Sequence, residues 1–319
     1  MTFAPIVLFT YNRPWHTQRL LDSLAKNAEA KESLLYIFAD GVKENADAAT
    51  IKSIKETRKI INGEKRFKDV IITEQKKNKG LANSIIDGVT SIVNKHGNVI
   101  VLEDDLILSP YFLLYMNDAL KRYENNTSVA QIGACNFFAC GPKYPSSFFL
   151  AMSECLGWGT WKNRWEKFNP DANYLLAELN QKNLMTRFNA YGAYDMEGML
   201  KAQIAGTVSS WAIRWQAVCV LNNWLTLYPN PAFTNHIESN EATHANKNIL
   251  PPLCNTLPTL TTIEVKEIPE VIEAMKKGYA NTGDYYGNTK KQSLKQILKK
   301  IVLIFIPKFT LNLIMQKRK

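Results

Sequence analysis

Four consecutive apolar residues, Val99 to Leu102, run directly into three acids, Glu103, Asp104 and Asp105. A strand that is apolar on both faces is typical of a parallel sheet that helices cover on both sides. Such sheets bind their ligands just beyond the carboxyl ends of the strands. We therefore predict an α/β protein with a ligand site at this acidic cluster.

The first half of the chain alternates strands and helices at short intervals. The residue patterns predict strands at 4–9, 34–39, 69–73 and 98–102, with helices at 14–28, 46–61 and 81–93 between them. This order predicts a mostly parallel central sheet with right-handed crossovers, flanked by helices. The expected organisation is a nucleotide-sugar-binding half at 1–125, an aromatic-rich acceptor and catalytic half at 126–281, and a linker with a basic amphipathic tail at 282–319.

The net charge of +10 is concentrated at one end of the chain. Residues 290–319 hold nine Lys or Arg and no acid, which leaves 30 basic and 29 acidic residues in 1–289. A nearly neutral body argues against nucleic acid as a partner, because binding it requires a positive surface spread over the fold.

The tail itself carries two apolar runs, each shorter than the roughly 20 residues that span a bilayer. A basic, apolar segment broken by proline fits a position in the interface of an anionic membrane surface. A terminal helix packed on the body or on a second protomer is the alternative. Five cysteines without metal-ligand spacing and no signal-peptide pattern favour a cytoplasmic protein, peripheral on the inner face of the cytoplasmic membrane.

The acidic cluster predicts a divalent cation. Like charges packed together need a positive neighbour, and hard oxygen ligands suit Mn²⁺ or Mg²⁺ with a bound phosphate. The alternative is that these acids cap the following helix. It is disfavoured because the cap signal, Ser109-Pro110, comes too late in the chain.

Three further loops bring polar groups to the same edge of the predicted sheet. They supply Thr10, Asn12 and Arg13 after the first strand, Asp40 after the second, and Asn78, Gly80 and Asn83 before the third helix. Arginine can hold a phosphate or a base edge, and backbone N–H groups at a helix start suit a nucleotide or phosphate. The chain has no G-x-G-x-x-G, Walker-type, H-E-x-x-H or G-x-S-x-G motif. Its sequence therefore gives no motif support for a dehydrogenase, an ATPase, a metalloprotease or an α/β-hydrolase.

Several segments together resemble the inverting GT-A glycosyltransferases, especially the N-acetylglucosaminyltransferase I family and its bacterial relatives, with a looser similarity to family 2. The segments lie at 12–14, 19–24, 39–41, 101–112 and 156–159, and the resemblance extends over about residues 4–245. It implies that Arg13 and Asp40 bind the uracil and ribose. It also implies that Glu103 and Asp104 contact the donor's ribose and sugar, and that Asp105 binds a Mn²⁺ that bridges the diphosphate. His244 matches a histidine that could contact the diphosphate or the metal.

Aromatic residues mark the second half, where six of the seven tryptophans lie between 158 and 224. We expect Trp158, Trp211 and Arg214 to contact the acceptor or the sugar. Packing in the core is the alternative, since tryptophan most often fills cores and interfaces.

The catalytic base is where the chain departs from the family that it resembles. The family's carboxylate precedes a Trp-x-x-Arg segment, where this chain has Ser209-Ser210. An inverting transferase needs a base for the acceptor hydroxyl, and serine cannot serve as one at neutral pH. Asp195, Glu197 and Glu154 are the candidate substitutes. Asp195 is the first choice, although Asp195 and Glu197 would also suit the first turn of a solvated helix.

Together these features predict a metal-dependent inverting glycosyltransferase. It would move a sugar from a UDP-linked donor to a glycan or lipid-linked acceptor in cell-surface polysaccharide synthesis, with Mn²⁺ or Mg²⁺ as cofactor. A sugar nucleotidyltransferase is one alternative, although its glycine-rich phosphate loop is absent. A catalytically inactive nucleotide- or glycan-binding protein is the other, and Ser209-Ser210 motivates it.

Overall fold

The computed structural model describes residues 3–237, 253–258 and 260–282. The predicted α/β class, with a large and mostly parallel central sheet flanked by helices, is confirmed. The described strands are β1 Ile6–Thr10, β2 Leu34–Ala39, β3 Asp69–Glu74, β4 Asn98–Glu103, β5 Leu106–Leu108, β6 Val129–Gly133, β7 Ser147–Leu150, β8 Trp158–Trp161, β9 Leu225–Pro229 and β10 Thr234–His236.

Eight of these strands form one sheet in the order β3-β2-β1-β4-β8-β6-β9-β7, and β10 pairs with β5 in a second, two-stranded sheet. The first four strands of that order are parallel to one another. Strand β8 is antiparallel to both of its neighbours, while β6 and β9 are parallel and β7 closes the edge antiparallel to β9.

The described helices are α1 Pro14–Leu24, α2 Ala48–Gly63, α3 Leu81–His96, α4 Phe112–Tyr123, α5 Lys162–Trp165, α6 Ala172–Gln181, α7 Met185–Phe188, α8 Met196–Ile204, α9 Trp211–Leu221 and α10 Pro269–Thr282. Short 3₁₀ turns follow α1 at Ala28–Glu32 and follow α7 at Ala190–Gly192. The helices cover both faces of the sheet, which is why its central strands are apolar throughout.

Successive side chains of β1 pack in two different core clusters, one on each face of the sheet. Ile6 and Leu8 pack in the cluster that contains the apolar residues of α1 and α4, whereas Val7 and Phe9 pack in the cluster that contains those of α3 and α9. Strand β4 alternates in the same way. Because successive side chains of a strand point to opposite faces, both layers of helices are anchored on the same two strands.

Local turn chemistry moves some predicted boundaries. Helix α3 continues past residue 93 to His96, where Gly97 adopts a φ of 87° and ends it with a left-handed cap. Helix α4 begins at Phe112 rather than at the proline after Ser109. The Ser109 hydroxyl accepts the Tyr111 N–H and donates to the Cys254 carbonyl. Ser109 therefore ties a later segment to the start of the helix instead of capping its first turn.

Among the described residues, no helix combines the length and the apolar character needed to cross a membrane. His244 and the basic segment of 290–319 lie outside the described residues. The predicted role of His244 and the membrane-associating tail therefore stay predictions. The division of the body at 125/126 stays a prediction as well.

Gly88 on α3 lies against the Phe9 ring, and a Cβ added there would be 2.7 Å from two ring carbons. We expect Gly88→Ala to lower the free energy of unfolding by about 1–3 kcal/mol through overpacking. Gly63→Ala at the end of α2 is the control, because no atom beyond its chain neighbours and its own helix backbone lies within 4 Å of the added Cβ. Helix propensity alone would favour alanine at both sites. Urea denaturation of the two variants measures the difference, and equal stabilisation of both would contradict the close approach.

Candidate functional site

The carboxyl ends of β1, β2 and β4 and the first turn of α3 enclose a cavity of about 240 Å³. Eight of the ten residues predicted to bind the donor line it, namely Thr10, Asn12, Arg13, Asp40, Asn78, Gly80, Glu103 and Asp104. Of the other two, Asp105 is paired with Arg13 next to the cavity, and Asn83 is exposed and donates to the Lys79 carbonyl. The sequence therefore located most of the cavity wall. It did not assign the other six lining residues to the donor, namely Phe9, Tyr11, Phe38, Lys43, Leu81 and Ser84.

Arg13 holds the acidic cluster together. Its Nη1 lies 3.0 Å from Asp105 Oδ2 and 3.6 Å from Asp104 Oδ1. The backbone N–H of Tyr11 donates to Asp104 Oδ2 at 3.4 Å. Burial alone would lower the pKa of the Arg13 guanidinium, but the charges of Asp104 and Asp105 raise it above its ordinary value. The loop after β1 is thus tied to the turn after β4.

Two carboxyl groups of the cluster, those of Glu103 and Asp104, are desolvated. Burial, together with the charges of Asp105 and Asp104, raises the pKa of Glu103 to about 8 against a hydrogen bond from the Trp211 side chain. Burial also raises the pKa of Asp104 to about 7, although Arg13 opposes the shift. These raised pKa values mean that the charged forms of Glu103 and Asp104 are disfavoured here, and a nearby cation would favour them.

A histidine that sequence analysis did not single out, His236, lies beside Asp105. Strand β10 pairs antiparallel with β5, which sets His236 opposite Leu106, and the Ile237 N–H donates to the Asp105 carbonyl at 2.8 Å. As a result, His236 Nδ1 lies 3.8 Å from Asp105 Oδ1. Burial lowers the pKa of His236 although Asp105 opposes the shift. A mostly neutral imidazole beside a carboxylate is able to ligate a metal.

Asp105 and His236 together fit a divalent cation that a phosphate also holds. Their side chains are 28% and 26% exposed, so a ligand can reach both. In the part of the chain that the structure describes, no group of three or more His, Cys, Asp or Glu converges on one point. Mn²⁺ accepts carboxylate and imidazole ligands but needs more than two, so phosphate oxygens would have to complete its coordination.

Asp40 uses both carboxylate oxygens to hold the loop before α3. Oδ1 accepts the N–H groups of Gly41 and Lys79, both at 2.8 Å. Oδ2 accepts the Asn78 amide at 2.9 Å and the Gly80 N–H at 3.0 Å. A carboxylate offers about four lone-pair sites, so these four bonds occupy its capacity. In this structure, Asp40 positions the cavity wall and offers no lone pair to a base or ribose.

The two tryptophans predicted to contact a sugar are in the core. Trp158 is 0% exposed and stacks on Trp211, with ring centroids 4.9 Å apart. Trp211 is 4% exposed, and its side chain donates a hydrogen bond to Glu103. The prediction that Trp158 offers a sugar platform is contradicted by this burial, and the core alternative holds. Arg214 is also buried; its Nε donates to the Ser210 carbonyl at 2.9 Å.

The three candidate bases lie in different surroundings. Asp195 is exposed and caps α8 through the Gly198 N–H, while Glu197 pairs with Lys201 at 2.6 Å on the same helix. Both match the alternative of a solvated first turn. Glu154 is buried, and its Oε1 accepts the next two backbone N–H groups, both at 2.8 Å.

Solved structures provide distant similarities. A cytidylyltransferase from Leptospira borgpetersenii is 13% identical with a TM-score of 0.32, over 53% of this chain and 64% of that one. TarS from S. aureus is 13% identical with a TM-score of 0.42, over 92% of this chain and 46% of TarS. A UDP-glucose pyrophosphorylase complexed with UDP-glucose is 10% identical with a TM-score of 0.36, over 71% of this chain and 90% of that one.

This chain therefore spans less than two thirds of the length of the first two proteins. No protein-family model matches it, and no curated protein matches its sequence. Similarities of this size assign no function, so any function must rest on the chain's own side chains.

Burial raises the pKa of Glu154 from 4.5 to about 7, against the two backbone N–H bonds. The folded state thus holds this proton more tightly than the unfolded state, so stability is lost as pH rises from about 4.5 to about 7. Glutamine keeps an oxygen that can accept the two N–H bonds but does not ionise. Glu154→Gln should therefore reduce the loss of unfolding free energy over this pH range by roughly 3 kcal/mol. Denaturant unfolding without metal between pH 4.5 and 8 measures it. Glu197→Gln is the control, and an unchanged pH dependence in Glu154→Gln would contradict the shift.

Proposed function

We propose that this chain is a metal-dependent inverting glycosyltransferase of GT-A type that takes its sugar from a nucleotide-diphosphate donor, UDP-linked in our first choice. The observation that carries the proposal is the placement of Arg13, Asp105 and His236 beside the cavity at the carboxyl ends of β1, β2 and β4. An open α/β sheet binds its ligands at this edge. The site combines an anion-binding arginine, a hard oxygen ligand and an imidazole next to space for a nucleoside.

The donor would lie along the edge with its nucleoside in the cavity and its diphosphate toward Asp105 and His236. Arg13 is half exposed, with its side chain at 50%, so it can exchange a carboxylate for a phosphate oxygen. A guanidinium binds carboxylate and phosphate with similar geometry. Arg13 therefore links the acidic cluster to the donor.

Asp105 and His236 would hold the divalent cation, Mn²⁺ or Mg²⁺, which when bound supplies positive charge to the leaving nucleoside diphosphate. The chain's own part is to place one carboxylate oxygen and one imidazole nitrogen 3.8 Å apart at an accessible edge. With these two ligands alone, we expect weak affinity for the free metal and stronger binding together with a diphosphate.

We propose Glu154 as the general base, in place of Asp195. A base works best when its pKa lies near the working pH, and the pKa of Glu154 is raised to about 7. Cys155, the next residue, is close enough to the acidic cluster for Glu103 and Asp105 to raise the pKa of its thiol, after burial and Glu154. Glu154 is thus next in sequence to a residue that lies near the acidic cluster.

The acceptor that we propose is a glycan or a lipid-linked saccharide at an anionic membrane surface. The support is the basic charge of residues 290–319. A positive segment adds about 1 kcal/mol of membrane attraction per Lys or Arg near an anionic surface.

The first test is thermal melting with UDP, CDP, GDP and dTDP, each with and without Mn²⁺. A diphosphate at a hundred times its dissociation constant should stabilise the folded state by roughly 2.7 kcal/mol, and only with metal. Asp105→Asn and His236→Gln should remove that stabilisation. Asp118→Asn is the control, because Asp118 pairs with Arg122 on the outside of α4. Stabilisation that persists in both site variants would refute the metal site.

The second test identifies the product that the enzyme releases. With a UDP-sugar, Mn²⁺ and a saccharide acceptor, a glycosyltransferase releases UDP, whereas a sugar nucleotidyltransferase working from a nucleoside triphosphate releases pyrophosphate. Glu154→Gln should lower kcat by about 10²–10⁴-fold and leave UDP affinity unchanged. Donor binding without turnover in the wild type would instead support the inactive binding protein that Ser209-Ser210 suggests.

A further inference from the structure

Two buried glutamine side chains hold the short segment between β7 and Glu154, the proposed base. Gln216, on α9, accepts the Ser153 N–H and donates to the Ala151 carbonyl at 2.9 Å. Gln131, on β6, accepts the Glu154 N–H at 3.2 Å and donates to the Glu154 carbonyl. Gln216 is 2% exposed and Gln131 is 0% exposed. Each amide therefore pairs both an N–H and a carbonyl of the segment, as a neighbouring strand would.

Glu154 lies at the edge of the sheet that carries the acidic cluster. Strands β4 and β6 are both antiparallel to β8, so they run in the same direction and end at the same edge. Val101 and Gly133 both pair with Trp158, which places them about 10 Å apart, the distance of two strand spacings. A Cβ added to Gly133 would lie 3.0 Å from the Glu154 Cβ. Glu154 therefore packs on the carboxyl end of β6, at the edge where the acidic cluster follows β4.

Helix α9 contacts both the segment and the acidic cluster. The Trp215 side chain donates to Gln131 Oε1 at 3.3 Å, and Gln216 is the next residue of the helix. One turn earlier, the Trp211 side chain donates to Glu103. One helix therefore sets where the segment lies relative to the cluster.

We propose that Gln131 and Gln216 are positioning residues for Glu154, because they hold the segment from which its carboxylate reaches the acceptor hydroxyl. In the proposed transfer, Glu154 takes the hydroxyl proton while the acceptor oxygen bonds to the sugar carbon and the nucleoside diphosphate leaves. The two backbone N–H bonds to its carboxylate both use Oε1, so Oε2 is the oxygen that would take the proton. This inference rests on the proposed function, since it assumes that Glu154 is the base.

A purely structural role is the alternative, because a buried backbone segment needs partners for its polar groups wherever it lies. A double-mutant cycle with Glu154→Gln separates the two roles. It uses the UDP-sugar, Mn²⁺ and saccharide acceptor of the turnover assay. A residue that acts only through Glu154 has no further effect once the carboxylate is gone, whereas a structural loss adds to that of Glu154→Gln.

Gln216→Met is a change of similar size that removes both amide hydrogen bonds. We expect it to lower kcat by about 10–100-fold, because a small displacement of a catalytic group is costly, and to leave the KM for the donor unchanged. In the Glu154→Gln protein, the same substitution should lower kcat no further. Gln131→Met, on β6, repeats the cycle from a different element, so the test does not depend on the folding of one variant.

Asn27→Leu is the matched control. Asn27 is also a buried amide, 2% exposed, and it donates to the Ser109 carbonyl at 3.1 Å and accepts the Leu113 N–H at 2.8 Å. It thus holds backbone groups around the start of α4 in the way that Gln216 holds the segment before Glu154. We expect Asn27→Leu to lower the melting temperature as Gln216→Met does, but to keep the wild-type kcat below its unfolding transition.

A further loss of kcat in the Glu154→Gln background, equal to the loss in the wild type, would overturn the inference and leave the proposed function standing. The glutamines would then be structural only. A wild-type kcat in both Gln216→Met and Gln131→Met would overturn it as well. If Glu154→Gln keeps the wild-type kcat, another group is the base and the inference fails, while the donor site stands. If the wild type shows no turnover, the inference fails together with the proposed function.

Discussion

Strand β1 is hydrogen-bonded in parallel on both sides, to β2 and to β4. This double pairing is the constraint on which the rest of the site depends. It requires β1 to be apolar on both faces, which anchors the two layers of helices. It also brings three strand ends to one edge, so Arg13 can reach the acids that follow β4. Without that register, the acids that follow β4 would lose the guanidinium that lies beside Asp104 and Asp105.

Much of this arrangement could be predicted from the sequence. A strand that is apolar on both faces indicates a sheet that helices cover on both sides, and the carboxyl edge then follows from the chain order. The antiparallel pairing of β4 with β8 on its other side does not follow from that pattern. The polar residues at that edge were identified because nothing in a core explains Glu103, Asp104 and Asp105 together. Helix ends were less predictable, since they depend on single turn residues such as Gly97.

The remaining features depend on contacts between distant segments. His236 reaches Asp105 only because β10 pairs with β5, and short strands of three residues carry little pattern. The prediction for His244, which came from the family resemblance, stays a prediction because that residue lies outside the described part of the chain. Similarly, a tryptophan's burial is set by its neighbours: Trp158 and Trp211 stack on each other where a sugar platform was expected. Asp40 lines the cavity as predicted, but three of its four hydrogen bonds come from the loop before α3, whose close approach no spacing rule reveals.

Gly88 and Ser84 lie on the same face of α3, one turn apart. Because Gly88 has no side chain, the helix rests directly on the Phe9 ring, and Phe38 is also close to the position that a Cβ would take. Gly88 lies one turn from Ser84, so the absence of a side chain at Gly88 sets the distance between Ser84 and the aromatic rings. The depth of the cavity is a property of helix-to-sheet spacing, so the shape of an acceptable ligand can change through a residue that the ligand never contacts.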